Sequence, residues 1–121
     1  VLEGKPLAVT ELRPLSGFYD YENKYTGGRT EHLIPAPLLK DIYAECMRMA
    51  LAAHQVLGCR GLSRSDFRYD EAKGVQGLYL LELNTQPGMT PLSLSPEQAA
   101  YCGIDFTSLV QKLVEGAKVG A

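Results

Sequence analysis

The run Leu80-Leu81-Glu82-Leu83-Asn84-Thr85-Gln86-Pro87-Gly88-Met89-Thr90 carries two oxygen-donor side chains straight into a Pro-Gly turn. Read as a strand, its two-residue alternation puts Glu82 and Asn84 on one face and turns Leu81 and Leu83 into an apolar layer. A carboxylate and an amide oxygen side by side are hard donors, of the kind magnesium takes together with phosphate oxygens. The chemistry they suggest is that of a metal and phosphate site.

A further carboxylate comes from upstream. Gly61-Leu62-Ser63-Arg64-Ser65-Asp66-Phe67-Arg68 reads as a second strand, and the polar run Asp70-Glu71-Ala72-Lys73-Gly74 can turn the chain back. An antiparallel hairpin centred near Gly74 sets Asp66 opposite Glu82 and Arg64 opposite Asn84. Opposed residues have Cβ atoms about 4.5–5.5 Å apart, close enough for two carboxylates and an amide to share one or two divalent ions. Facing acids repel unless a cation lies between them. Asp66 and Glu82 by themselves fit a solvated hairpin with scattered charges better than a metal site. Asn84 and the Pro-Gly turn shift that balance toward the site.

These residues carry a resemblance. Lys24-Tyr25, Arg64-Ser65-Asp66, Glu82-Leu83-Asn84-Thr85 and Pro87-Gly88-Met89-Thr90 followed by Ser93-Leu94 resemble the C-terminal part of the D-alanine:D-alanine ligases, ATP-grasp enzymes of bacterial wall synthesis. The likeness runs from about Val1 to the last helix. No single motif suffices, but their order and spacing together leave few competitors. The resemblance implies an α+β fold: an ATP-grasp C-terminal domain, mainly antiparallel sheet packed by helices, over 36–121. It makes 1–35 the end of the central lid region, with a long active-site loop at about 14–30.

The resemblance also implies the reaction and the roles. ATP phosphorylates one D-alanine, and the amine of a second D-alanine displaces phosphate from the acyl phosphate, giving a peptidoglycan precursor. Asp66, Glu82 and Asn84 become ligands of two magnesium ions, with manganese as a substitute, and Glu82 and Lys24 contact the nucleotide. Arg64 and the Gly88 amide stabilise the tetrahedral intermediate, with Tyr25 on the substrate side. Ser93 and Leu94 hold the carboxylate of the second D-alanine. Two other readings stay open: a D-alanine:D-lactate or other ATP-grasp carboxylate-amine ligase, and a folded module inactive without its N-terminal partner domain. The family also implies a homodimer in the cytoplasm.

Composition is compatible with this. The chain has 121 residues, 45% hydrophobic and 21% charged, with a formal net charge of −2. That suffices for one modest core but is short for an enzyme holding a nucleotide and two amino acids. A slightly acidic chain has no general attraction to nucleic acid. No apolar run approaches the roughly 18 residues that span a bilayer, and no signal-peptide pattern opens the sequence. With no initiator methionine, the sequence reads as a piece beginning inside the lid domain, the N-terminal part of the enzyme lying upstream.

The remaining segments are expected to position the site. Val1–Thr10 reads as strand, with Leu7, Val9 and Leu12 as apolar positions. Arg13 to Gly28 is aromatic, glycine-containing and aperiodic, and loops of this length often cover active sites. Phe18, Tyr19 and Tyr21 equally suit pinning a surface loop. A single-strand nucleic-acid platform is the weakest reading there, since Asp20 and Glu22 oppose phosphate. Thr30–Ile34 reads as a short strand. A long helix is expected from Leu38, with Pro37 at its first position, Gly58 at its C-cap, and Ile42, Cys46, Met49, Ala53 and Val56 as a core stripe under the sheet.

Ser95 with Pro96 resembles a helix start. Asp105 should cap a final helix whose apolar face is Leu109, Val110, Leu113, Val114 and Ala117. Helix amides just past the Pro-Gly turn favour an anion, although Ser93 also fits as a plain helix-approach residue. Cys46, Cys59 and Cys102 lack CxxC spacing and read as reduced, mostly buried thiols. His32 and His54 receive no chemical role.

Overall fold

The computed structural model describes residues 1–14 and 30–119. Lys24, Tyr25 and the loop expected to hold them lie outside those residues. In chain order the elements are β1 (Glu11–Pro14), β2 (Thr30–Leu33), α1 (Lys40–Val56), β3 (Arg64–Tyr69), a 3-10 segment (Glu71–Gly77), β4 (Leu78–Asn84), α2 (Leu94–Tyr101) and α3 (Phe106–Gly116). The strands form two antiparallel pairs, β1 with β2 and β3 with β4. This is the expected α+β architecture, with α1 packed against β3 and β4.

Val1–Thr10 does not form the expected strand. Leu2 and Lys5 exchange backbone hydrogen bonds of 2.9 Å across Glu3 and Gly4, both at positive φ, so the chain turns where a strand would continue. Its first residues instead bridge onto Leu62. Leu2 thereby joins Leu62, Ala99 and Leu109 in a core flanked by Leu7, Met89, Ile104 and Leu113.

Helix α1 begins at Lys40 rather than Leu38, and Pro37 lies outside it. Its C-terminus follows the expected chemistry. Gly58, at φ +66°, lets its own N–H reach Gln55 O at 3.0 Å and the Cys59 N–H reach His54 O at 2.9 Å. That pair of bonds is the glycine-dependent helix stop known as the Schellman motif. Ile42 and Cys46 are buried, but Val56 is 83% exposed. His54 takes its place in the interior, two residues earlier on the face toward Ser63. Of the thiols only Cys46 is buried, Cys59 being half-buried and Cys102 exposed.

Helix α2 starts after Ser93 and not Ser95, which is itself buried. Asp105 caps α3 as expected, its carboxylate accepting from Ser108 N at 2.7 Å. Leu109 faces the core and Leu113 half-covers it, whereas Val110 and Val114 are exposed and Ala117 lies past the helix end. The helix is thus anchored by a narrower stripe than its sequence suggests.

Candidate functional site

Strands β3 and β4 pair with Arg64 opposite Asn84, Ser65 opposite Leu83 and Asp66 opposite Glu82. Opposed residues of an antiparallel pair share a face, as do residues two apart, so Arg64, Asp66, Glu82 and Asn84 stand on one side of the hairpin. Beyond Asp66 the register slips, and Phe67 pairs with Leu80. The unpaired residue is Leu81. This bulge interrupts the alternation, so that Leu80 and Leu83, three apart, are the half-covered positions. Leu81, expected in the apolar layer, is 60% exposed.

The polar face is ordered by its own hydrogen bonds. Arg64 Nε donates to Asp66 Oδ1 at 2.9 Å and its Nη2 to Oδ2 at 3.2 Å, a two-pronged contact that fixes the guanidinium plane. Asn84 Oδ1 accepts the Gln86 N–H at 2.8 Å. This bond bends the chain out of β4 into Pro87 and Gly88. Glu82 is exposed and takes no hydrogen bond or ion pair among the described residues.

The turn then closes on itself. A Cβ added to Gly88 would lie 3.0 Å from Ser93 Oγ, so glycine permits the close approach of these two residues. Ser93 Oγ accepts from Thr90 N at 3.1 Å and lies 2.7 Å from Thr90 Oγ1. Occupied in this way, it makes no side-chain cap to α2. Leu94 is the first residue of that helix.

As a donor set, two carboxylates and an amide oxygen on one face fit a hard divalent ion whose shell is completed by phosphate oxygens. No cluster of three or more His, Cys, Asp or Glu placed to hold a metal ion forms among the described residues. A hollow of about 1060 Å³ borders the same loop through Thr85, Gln86, Pro87 and Met89 and reaches Arg60 and Lys112. Asp66, Glu82 and Asn84 are not in its wall. On the donor face Asp66 and Asn84 are half-buried and Glu82 is exposed.

Two groups near this scaffold have displaced pKa values. Burial pushes the Cys46 thiol up to about 11, with the Glu45 charge adding to it. It is a packing thiol with no nucleophilic role. His54, 3% exposed, is held below the ordinary histidine range by burial. Its Nδ1 lies 2.6 Å from Ser63 Oγ. This buried link between α1 and the start of β3 had no sequence signal, because the two residues meet only through the tertiary packing. His32, likewise without an expected role, contacts Glu97 of α2.

Comparison with known proteins gives a consistent picture. A family described as D-ala D-ala ligase C-terminus matches residues 2–115. A D-alanine--D-alanine ligase of Erythrobacter litoralis is 58% identical over 117 residues, which cover 97% of this chain and 36% of that protein. Its counterpart in Rhizorhabdus wittichii is 60% identical over 120 residues, covering 99% of this chain and 38% of that one. The crystal structure of D-alanine--D-alanine ligase from Bacillus anthracis complexed with ATP superposes with a TM-score of 0.75 at 28% identity, over 96% of this chain and 37% of that chain. The chain spans a little over a third of the length of the curated relatives it matches.

Proposed function

The chain belongs to the D-alanine–D-alanine ligase C-terminal family, and from that premise we propose that it supplies the metal, phosphate and acceptor contacts of an ATP-dependent ligase joining two D-alanines for peptidoglycan synthesis. The observation that carries the reading is the β3–β4 register, which gathers Arg64, Asp66, Glu82 and Asn84 on one face ahead of the Pro87–Gly88 turn. In this reading 1–35 closes the lid region and 36–121 is the catalytic C-terminal domain. The working enzyme is a cytoplasmic homodimer that includes an N-terminal part. No helix among the described residues is long and apolar enough to cross a membrane.

ATP phosphorylates the carboxylate of the first D-alanine. The amine of the second then attacks the acyl carbon, forming a C–N bond as the C–O bond to phosphate breaks and the amine releases a proton. Both steps concentrate negative charge, so positioning and electrostatics do most of the catalysis. Asp66, Glu82 and Asn84 would hold two magnesium ions, or manganese in their place, and the bound pair would neutralise charge on the phosphates.

Arg64 is the chain's own cation on this face. Held in plane by Asp66, it is preorganised to hydrogen-bond the oxyanion of the tetrahedral intermediate. The Gly88 N–H adds a second donor, and the missing side chain lets Ser93 close in beside it. Lys24, for an ATP phosphate, and Tyr25, for the substrate side, are assigned by the family resemblance alone. Ser93 and the start of α2 at Leu94 receive the carboxylate of the second D-alanine, where unpaired first-turn amides favour an anion.

The test is a full-length ligase carrying this chain, supplied with ATP, magnesium and D-alanine, with dipeptide read by mass spectrometry and phosphate release by coupled assay. D-lactate competes as acceptor in a parallel arm. A cooperatively folded enzyme that releases no D-alanine-dependent phosphate rejects the ligase reading. Preferential formation of the D-alanine–D-lactate ester reassigns the acceptor.

A further inference from the structure

Helix α2 has eight residues, too few to hold their shape unaided in water. Its buried residues are Ser95, Pro96 and Ala99, of which Ala99 enters the apolar core. Polar contacts hold another flank. His32 Nδ1, on β2, lies 3.1 and 3.2 Å from the two carboxylate oxygens of Glu97. Gln98 Nε2 donates to Thr10 Oγ1 at 3.0 Å, and the Cys102 thiol to Leu7 O at 3.1 Å.

The first of these contacts has a direct line to Ser93. The Glu97 backbone N–H donates to the Ser93 carbonyl at 3.1 Å, the opening bond of the helix. Imidazole, carboxylate and that bond run without interruption from β2 to the residue at the helix entrance. A carboxylate only accepts, so Nδ1 carries the hydrogen between them. The two side chains are 30% and 31% exposed, which shields the pair from water more than an open surface pair. Electrostatics gives a second reason for it. An unpaired carboxylate in the first turn of α2 repels a substrate carboxylate at the same helix end, and the imidazole draws that charge toward β2.

We propose that His32 and Glu97 are a positioning pair for the acceptor D-alanine, holding the first turn of α2, and with it Ser93 and Leu94, where the second substrate's carboxylate binds. The inference rests on the assignment of Ser93 and Leu94 to that carboxylate.

The experiment is steady-state kinetics of the full-length ligase with His32→Phe, Glu97→Ala, the double variant, His32→Gln and Ser93→Ala. His32→Phe and Glu97→Ala should each raise the acceptor KM about tenfold, or about 1.4 kcal/mol, with the ATP KM and kcat within about twofold of the parent. His32→Gln keeps an N–H donor and should stay within about threefold of the parent, and the double variant should be no worse than either single one. An unchanged acceptor KM in His32→Phe and Glu97→Ala overturns the pair. So does a parallel rise of both KM values with a fall in Tm, the signature of packing alone. If Ser93→Ala leaves the acceptor KM unaltered, the subsite assignment fails and the proposal with it. A raised KM in Ser93→Ala with none in the pair variants rejects the pair and spares the subsite.

Discussion

Asp66 and Glu82 oppose each other across a strand pair with one arginine to share between them, and that arginine is committed to Asp66. Among the described residues Glu82 is therefore the carboxylate of the pair that takes no ion pair, and the one for which a bound cation changes most. Glu82→Gln is expected to abolish magnesium-dependent turnover of the full-length enzyme while leaving a cooperative melt at the parent Tm. Normal turnover in that variant removes Glu82 from the metal site. Arg64→Ala should lower kcat by about 10²–10³, the usual cost of a lost oxyanion donor. Gly77 tests the scaffold beneath them. A Cβ there meets Asp70 O at 2.0 Å, while Asp70 N donates to Gly77 O at 2.8 Å. Backbone cannot yield as a side-chain tip does, so Gly77→Ala should cost about 3 kcal/mol by urea unfolding, at the upper end of overpacking effects. An unaffected midpoint shows that the turn between β3 and β4 is looser than this geometry.

The hairpin was legible in sequence because its register follows from one centre: residues summing to the same number face each other, and Gly74 at φ +61° lies at that centre. The pairing then holds from Arg64 to Asp66 and fails at Leu81, because a bulge adds one residue without any compositional mark. Asp105 and Gly58 were readable for a related reason, since caps are local hydrogen-bonding chemistry. The burial of His54, the turn at Glu3–Gly4 and the His32–Glu97 contact depend on residues distant in sequence, and no periodicity reports them. The His54 tie between α1 and Ser63 has a measurable consequence. Its pKa is depressed in the fold, so below the unfolded value near 6.5 the unfolded chain binds more protons. The His54 contribution to stability is complete above about pH 6.5 and declines as pH falls through that value toward the lower folded one. Tm measured from pH 7.5 to 5 should drop in the parent and flatten in His54→Gln. Asp105, also depressed, acts in a separate window: its contribution is present above the ordinary 3.8 and is lost only as pH falls below that. A parent Tm constant down to pH 5 means that His54 takes up its proton without disturbing the packing.

At the scale of the molecule, the described residues form two separate two-stranded pairs and a core centred on Leu2, Leu62, Ala99 and Leu109, to which the donor residues do not belong. A two-stranded pair is marginal alone, and β3–β4 relies on α1 for support. The hollow nearest the Pro-Gly loop leaves Asp66, Glu82 and Asn84 out of its lining, and the chain spans a little over a third of the length of its curated relatives, so in the proposed reading much of the enclosure of the nucleotide comes from the rest of the full-length ligase. Ligands are normally enclosed over most of their surface, and a one-sided site loses both contacts and the exclusion of water that strengthens them. The 121 residues by themselves should therefore bind ATP and magnesium with a Kd no tighter than about 1 mM, or about −4.1 kcal/mol. At a ligand concentration equal to Kd the gain in stability is only about 0.4 kcal/mol. Titration calorimetry of the isolated chain should give no saturable heat at micromolar nucleotide, and Tm should hardly move. The full-length ligase, closing on the nucleotide from its other parts, should bind more tightly and melt later with ATP and magnesium present. Micromolar binding by the isolated chain places the whole nucleotide grip within these residues and overturns the division of labour between this module and the remainder of the enzyme.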